Sequence, residues 1–169
     1  MRRNIYGEIE ITSIDYAQFV VDELTSQNYQ TFQIKENTDH GFLTESKISG
    51  TGIYCIYRKE KPVYVGCTEN SIRVRLGRFF AAVRGTEHWD ENHQAAYKFV
   101  DVFGRNLDHV TFKFCNISSN DIPKNIQLEE IENEVVNVIK PYFNNQTCNL
   151  HRFQKEITVH SANGVIQYA

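Results

Sequence analysis

Apolar residues recur along this chain in two rhythms, and each predicts a different kind of element. Gly52-Ile53-Tyr54-Cys55-Ile56-Tyr57 is a short aromatic and aliphatic run, and Pro62 to Cys67 is a second. The charged break from Lys59 to Pro62 reads as a tight turn, so the two runs predict a strand over about 52–57 and another over about 62–67. His109 to Cys115 alternates polar with apolar positions and predicts a third strand. Residues 5–11 alternate more loosely and predict a further strand. Helical spacing appears over about 14–27, where Ser13 is the expected N-cap and Ile14, Phe19, Val20, Val21 and Leu24 form the stripe. It returns over about 71–83, and over 92–103 through Ala95, Ala96, Phe99, Val100 and Phe103, with Gly104 placed to end that helix. An acidic helix is predicted over about 126–139, stopping before Pro141. Residues 35–51 and 85–91 read as polar connectors. In the tail, Glu156 to His160 and Val165 to Tyr168 flank Asn163-Gly164, the pattern of a hairpin.

The expected architecture is therefore α+β (α/β layered): a small three-stranded antiparallel sheet flanked by helices. An N-terminal extension over 1–50, a core over 51–145 and a C-terminal extension over 146–169 would together make one compact domain. An apolar fraction of 41% and a charged fraction of 23% fit an ordinary globular chain. No run approaches 18 consecutive apolar residues, so no membrane-spanning helix and no membrane partner are expected. Arg2 and Arg3 lead into Glu8 and Glu10 instead of an apolar stretch, which argues against a signal peptide and makes the cytoplasm the expected compartment. Cys55, Cys67, Cys115 and Cys148 contain no Cys-x-x-Cys pair and are too sparse for a disulfide framework. A zinc site on Cys148 and His151 would need two more ligands from distant positions.

Net charge is −3, yet its distribution is uneven. Residues 1–50 carry four Lys/Arg against eight Asp/Glu. Residues 52–84 carry seven (Arg58, Lys59, Lys61, Arg73, Arg75, Arg78 and Arg84) against two acids. A basic stretch of this kind can present a positive face to a polyanion. Within and beyond it, four elements stand in order: Gly52-Ile53-Tyr54, then Tyr64-Val65-Gly66, then Thr68-Glu69-Asn70 leading to Arg75, then Glu132 followed by Pro141 and Asn144. Arginine offers a planar bidentate fork for phosphate, and a carboxylate is the hard oxygen ligand that magnesium prefers.

These four elements, covering residues 52–144, resemble a GIY-YIG nuclease domain, with Val65 where the signature usually has isoleucine. The resemblance implies a divalent-metal-dependent endonuclease that hydrolyses phosphodiester bonds in DNA (RNA is not excluded), leaving 5′-phosphate and 3′-hydroxyl ends. It implies Tyr54, Tyr64, Arg75 and Glu132 as catalytic residues, with Glu132 holding Mg²⁺ (Mn²⁺ as a substitute) and Glu134 as its fallback. Arg73 competes with Arg75 because one inserted residue, Ser71, would shift the alignment. The expected substrate contacts are Gly66, Arg73, Arg78, Asn144 and Lys61. Asn144 would reach the backbone or the phosphate, or cap a helix end. Tyr54 is assigned as general base and Tyr64 as positioning donor. Their ordinary value near 10 means that ionisation at neutral pH needs roughly 4 kcal/mol from nearby positive charge. Phe79 stands where many members carry a histidine or tyrosine, and His88, His93 and Lys61 are the candidates to replace it. The extensions suit a compact restriction-type enzyme, and cutting both strands calls for a homodimer. The alternatives are a catalytically inactive nucleic-acid-binding module of the same fold and a structure-specific or RNA-directed nuclease.

Overall fold

The computed structural model describes residues 2–3, 9–31, 48, 50–85 and 93–144. In chain order these form β1 (Arg2–Arg3), β2 (Ile9–Glu10), α1 (Ser13–Ser26), β3 (Gln30–Thr31), β4 (Gly52–Arg58), β5 (Lys61–Thr68), α2 (Ile72–Arg84), α3 (Gln94–Phe103), β6 (Val110–Asn116), a 3₁₀ turn (Ser119–Asp121) and α4 (Leu128–Ile139). The fold is α+β, and its helices and long strands lie where the apolar rhythms predict them. The tail hairpin lies outside the described residues.

Two details of the N-terminal part differ from expectation. The strand over 5–11 is realised, among the described residues, only as the two-residue β2, which pairs with β1. Thr12, one residue before the expected cap, begins α1, and its amide donates to the Asp15 carboxylate at 2.9 Å.

The main sheet is entirely antiparallel and has four strands, in the order β3-β6-β4-β5, instead of the expected three. The added strand, β3, is two residues long and pairs Gln30 with Phe112 and Thr31 with Thr111. No apolar alternation marks Gln30–Thr31, so only the partner strand gives it away. β4 lies inside the sheet and is buried along its whole length. This explains its unbroken aromatic and aliphatic sequence, because a central strand covered on both faces has no polar side to show.

Each face of the sheet carries its own helical layer. Tyr54, Ile56 and Phe112 face α2 and α3, and pack with Ile72, Leu76, Phe79, Phe99 and Phe143. Ile53, Cys55, Val65 and Cys115 face α1 and α4, and pack with Val20, Leu24, Ile131 and Val135. A bulge sets the phase of β5: Ile56 pairs with Tyr64 and Tyr57 with Pro62, leaving Val63 as the extra residue. That extra residue puts Tyr64 and Gly66 on the same face as Tyr54.

Lys59 and Glu60, at the tip of the β4–β5 hairpin, have φ values of 47° and 64°. Both positions of this two-residue turn are left-handed, where Asn-Gly is the favoured pair. The double substitution Lys59→Asn, Glu60→Gly is expected to stabilise the protein by about 1 kcal/mol. Urea unfolding should show a higher midpoint with an unchanged slope.

Candidate functional site

Tyr54 of β4 stands opposite Gly66 of β5, while Tyr64 stands opposite Ile56. The two tyrosines are thus diagonal neighbours on one face, their ring centroids 6.1 Å apart and tilted by 55°. Gly66 is what lets the Tyr54 ring lie down across β5. A Cβ at Gly66 would sit 2.5 Å from the Tyr54 hydroxyl oxygen and 2.8 Å from Tyr64 Cε1. Gly52 is required for a different reason: at φ 145° its bare Cα faces the Cys115 carbonyl and, at 2.7 Å from where a Cβ would be, the Ile117 amide. Both signature glycines are therefore packing residues. Gly66, expected to contact substrate, is buried and packs against the side chains of both tyrosines.

The two tyrosines do not occupy equivalent positions. Tyr54 is fully buried, and its hydroxyl has no hydrogen-bond partner among the described residues. Burial, reinforced by Tyr64 and Glu132, pushes its hydroxyl well above the usual phenol value, with Arg75 pulling the other way. Tyr64 is half-buried and lines a cleft. Its hydroxyl is pushed up to about 12, first by burial and then by Glu132, again against Arg75. Tyr64 thus faces the cleft and Tyr54 lies behind it.

Helix α2 positions the arginines. Ser71 caps it, accepting the Val74 amide at 3.4 Å, and Gly85 ends it in the left-handed conformation at φ 78°. Just upstream, the Thr68 hydroxyl accepts the Asn70 amide at 3.2 Å, which turns the chain from β5 into the helix. Ile72, Leu76, Phe79, Phe80 and Val83 form its buried stripe. Arg75 and Arg78 are one turn apart on a flank of that stripe, whereas Arg73 points about 200° away from Arg75 around the axis. Arg75 lines two clefts and Arg78 one of them, while Arg73 lines neither. Phe79 is fully buried against Phe99 and His93, at centroid distances of 5.7 and 5.5 Å. It is a core residue.

The first cleft, of about 310 Å³, is lined by Tyr64, Arg75, His93, Lys98 and Asn144 among others. The second, of about 400 Å³, shares Arg75 and is lined by Cys67, Thr68, Asn70, Ser71, Arg78 and Glu129 among others. Glu132 of α4 stands at the β5 edge beside Cys67. Burial raises its carboxyl above the ordinary range, the Cys67 thiol and amide and the Arg75 guanidinium pull it back, and Glu129 one turn away raises it further. Glu132, Arg75, Tyr64 and Tyr54 thus come from three helices and strands of one layer and one helix of the other, and feel one another's charge. Glu134, the fallback for Glu132, does not enter these couplings.

Asn144 is used by the backbone. Its Nδ2 donates to the Val65 carbonyl at 2.6 Å and its Oδ1 accepts the Val65 amide at 2.8 Å. This is the pairing a neighbouring strand would make, so Asn144 shapes the wall of the cleft and spends its amide there. Lys61 sits at the hairpin end of β5, three residues and about 10 Å of strand before Tyr64, and lines neither cleft. His88 lies outside the described residues. The sequence reading missed Lys98, whose ammonium donates to the Phe143 carbonyl at 3.2 Å in the first cleft. A lone cation inside the apolar rhythm of α3 was the available signal. Cys67 and Glu129 carried no signal of their own.

Among the described residues no three His, Cys, Asp or Glu side chains cluster, and no helix is long and apolar enough to cross a membrane. Compared with known proteins, the chain matches no family model, no curated protein and no solved structure.

Two substitutions check this geometry. Asn144→Ala leaves both Val65 main-chain groups without their partner and is expected to destabilise by about 1–3 kcal/mol, measured by urea unfolding. Glu132→Gln is expected to stabilise the metal-free protein at neutral pH. Because the folded carboxyl is raised, its charged form opposes folding above the raised value, and that penalty disappears as pH falls through the ordinary carboxylate range. The difference in melting temperature between the two proteins should therefore be largest near pH 7 and shrink toward pH 3.

Proposed function

We propose that this protein is a divalent-metal-dependent endonuclease that hydrolyses phosphodiester bonds in DNA, as its resemblance to GIY-YIG nucleases implies. The observation that most supports this reading is the placement of Arg75. It lines two clefts and is electrostatically coupled to Glu132, Tyr64 and Tyr54. A phosphate held by its guanidinium would have space on both sides for the flanking nucleotides, and the fork matches two non-bridging oxygens.

The carboxylates fit a hard cation. Glu132 and Glu129 lie one turn apart on α4 and repel each other, and burial already disfavours the charge on Glu132, so a divalent ion would relieve both effects. One or two carboxylates with water and phosphate making up the remainder is the usual donor set for magnesium, with manganese as a substitute. When bound, such an ion would neutralise charge on the phosphate and polarise a water molecule. Tyr64, at the cleft surface, would donate its hydroxyl proton in a hydrogen bond to phosphate or water. Ionising it at neutral pH from a value near 12 would cost about 7 kcal/mol, which suits a donor better than a base. Arg78 and Lys98 would add positive charge along the strand's path.

A supercoiled plasmid incubated with Mg²⁺ tests the reading. Wild type is expected to nick or linearise it, while Arg75→Ala and Glu132→Ala each lose about 10²–10³-fold in rate, with unchanged circular dichroism. Mg²⁺ should also raise the melting temperature of wild type and leave that of Glu132→Gln unchanged. Absence of cleavage by folded wild type across DNA and RNA substrates would refute the proposal.

A further inference from the structure

We propose that His93, and neither tyrosine, takes the proton from the attacking water and is a catalytic residue of the phosphodiester hydrolysis proposed above, on which this inference rests. The argument begins with an anomaly of local structure. His93 occupies the N-cap position of α3, where Ser, Thr, Asp or Asn would ordinarily hydrogen bond to the first turn. Its side chain makes no such bond. The imidazole turns inward and is only 6% exposed, its ring edge-on to Tyr64 at 6.1 Å and to Phe79 at 5.5 Å. There it lines the same cleft as Tyr64 and Arg75.

The charged and titratable groups described around that cleft are Arg75 from α2, Lys98 from α3 itself and Tyr64 from β5, with Phe79 as an apolar wall. Two cations and the positive end of α3 surround a ring that gains a positive charge when it binds a proton. The same cations hold an anionic phosphate next to it. Imidazole is also the side chain whose basicity suits proton transfer near neutral pH, whereas both hydroxyls in the site are harder to ionise than a free phenol.

The step balances without any further reactant. The water oxygen bonds to phosphorus as the bond from phosphorus to the 3′ oxygen breaks. One proton of that water passes to an imidazole nitrogen of His93, the departing 3′ oxygen takes a proton from solvent, and His93 returns its proton to solvent. The products are a 3′-hydroxyl and a 5′-phosphate. Phe79 buttresses the imidazole from the core, and the aromatic contact with Tyr64 orients it.

Single-turnover cleavage at saturating Mg²⁺, followed from pH 5 to 10, tests the assignment in wild type, His93→Gln and His93→Ala. The expected wild-type profile has an acid limb with its midpoint between pH 5 and 8. His93→Gln should be slower by about 10²–10³-fold and lack that limb, while its affinity for uncleaved DNA stays within threefold of wild type. Added imidazole should restore His93→Ala in proportion to the uncharged fraction of the added base. A His93→Gln rate within threefold of wild type, or an acid limb that survives in it, overturns the role of His93 and leaves the nuclease reading standing. A wild type that cleaves nothing overturns the nuclease reading and this inference with it. Should both variants lose their circular dichroism, the wild-type profile decides. The limb between pH 5 and 8 sustains His93 as the base, and a rate that climbs steadily to pH 10 overturns it.

Discussion

The open edge of β5 is the constraint on which the rest of the site depends. An edge strand presents main-chain amides and carbonyls that must be covered, by water or by protein. Here protein covers them at successive alternate residues. Phe143 donates its amide to the Val63 carbonyl at 2.9 Å, Asn144 satisfies both groups of Val65, and Glu132 stands by the Cys67 amide. The segment after α4 therefore runs along β5 as a surrogate strand, and the carboxylate of α4 caps the row. Covering an edge and assembling a site are the same act in this fold: what brings Glu132 within the field of Arg75 is the need to finish the sheet.

That edge is also where the two helical layers meet. Arg75 and the tyrosines belong to the layer built on α2 and α3, and Glu132 to the layer built on α1 and α4. The bulge at Val63 and the bare Cα of Gly66 let the two tyrosines share the first face without collision. The resulting electrostatics run against ordinary stability. A carboxylate is held where burial disfavours its charge, and a phenol is fully buried behind the same site. Groups held in such uncomfortable states concentrate at functional sites, which is why the pattern supports the proposed chemistry beyond the resemblance of short motifs.

Much of this was legible in the sequence, for identifiable reasons. β4 declared itself because a central strand buried on both faces must be apolar throughout. α2, α3 and α4 declared themselves because a helix covering one face repeats every third or fourth residue. Arg75 could be singled out by its place after Thr68-Glu69-Asn70 and favoured over Arg73 by the Ile72-x-x-Arg75 register, whereas its position in the lining of two clefts shows only once the helix is laid on the sheet. β3 was invisible because two polar residues carry no periodicity, and their pairing with Phe112 and Thr111 is decided some eighty residues away. The role of Asn144 was half visible: its spacing from Glu132 marked it, yet only the position of β5 shows that its amide serves Val65. Phe79 was visible only in part: the motif marked it as a position without a proton donor, and the fold adds that its ring is buried against His93 and Phe99.

That Arg75 lines two unlike chambers bears, under the proposed function, on the direction of a bound polymer. One chamber holds His93, Lys98 and Gln94. The other holds Glu69, Glu129, Ser71 and the beginning of α2. A nucleic-acid strand is itself asymmetric, with its ester oxygens distinguishable as 3′ and 5′. Under the proposed function, a strand laid across Arg75 in one sense meets a different set of partners from the same strand reversed. Under that proposal the arginine would act as a turnstile, setting which way the strand runs and hence which side of the phosphorus is opened.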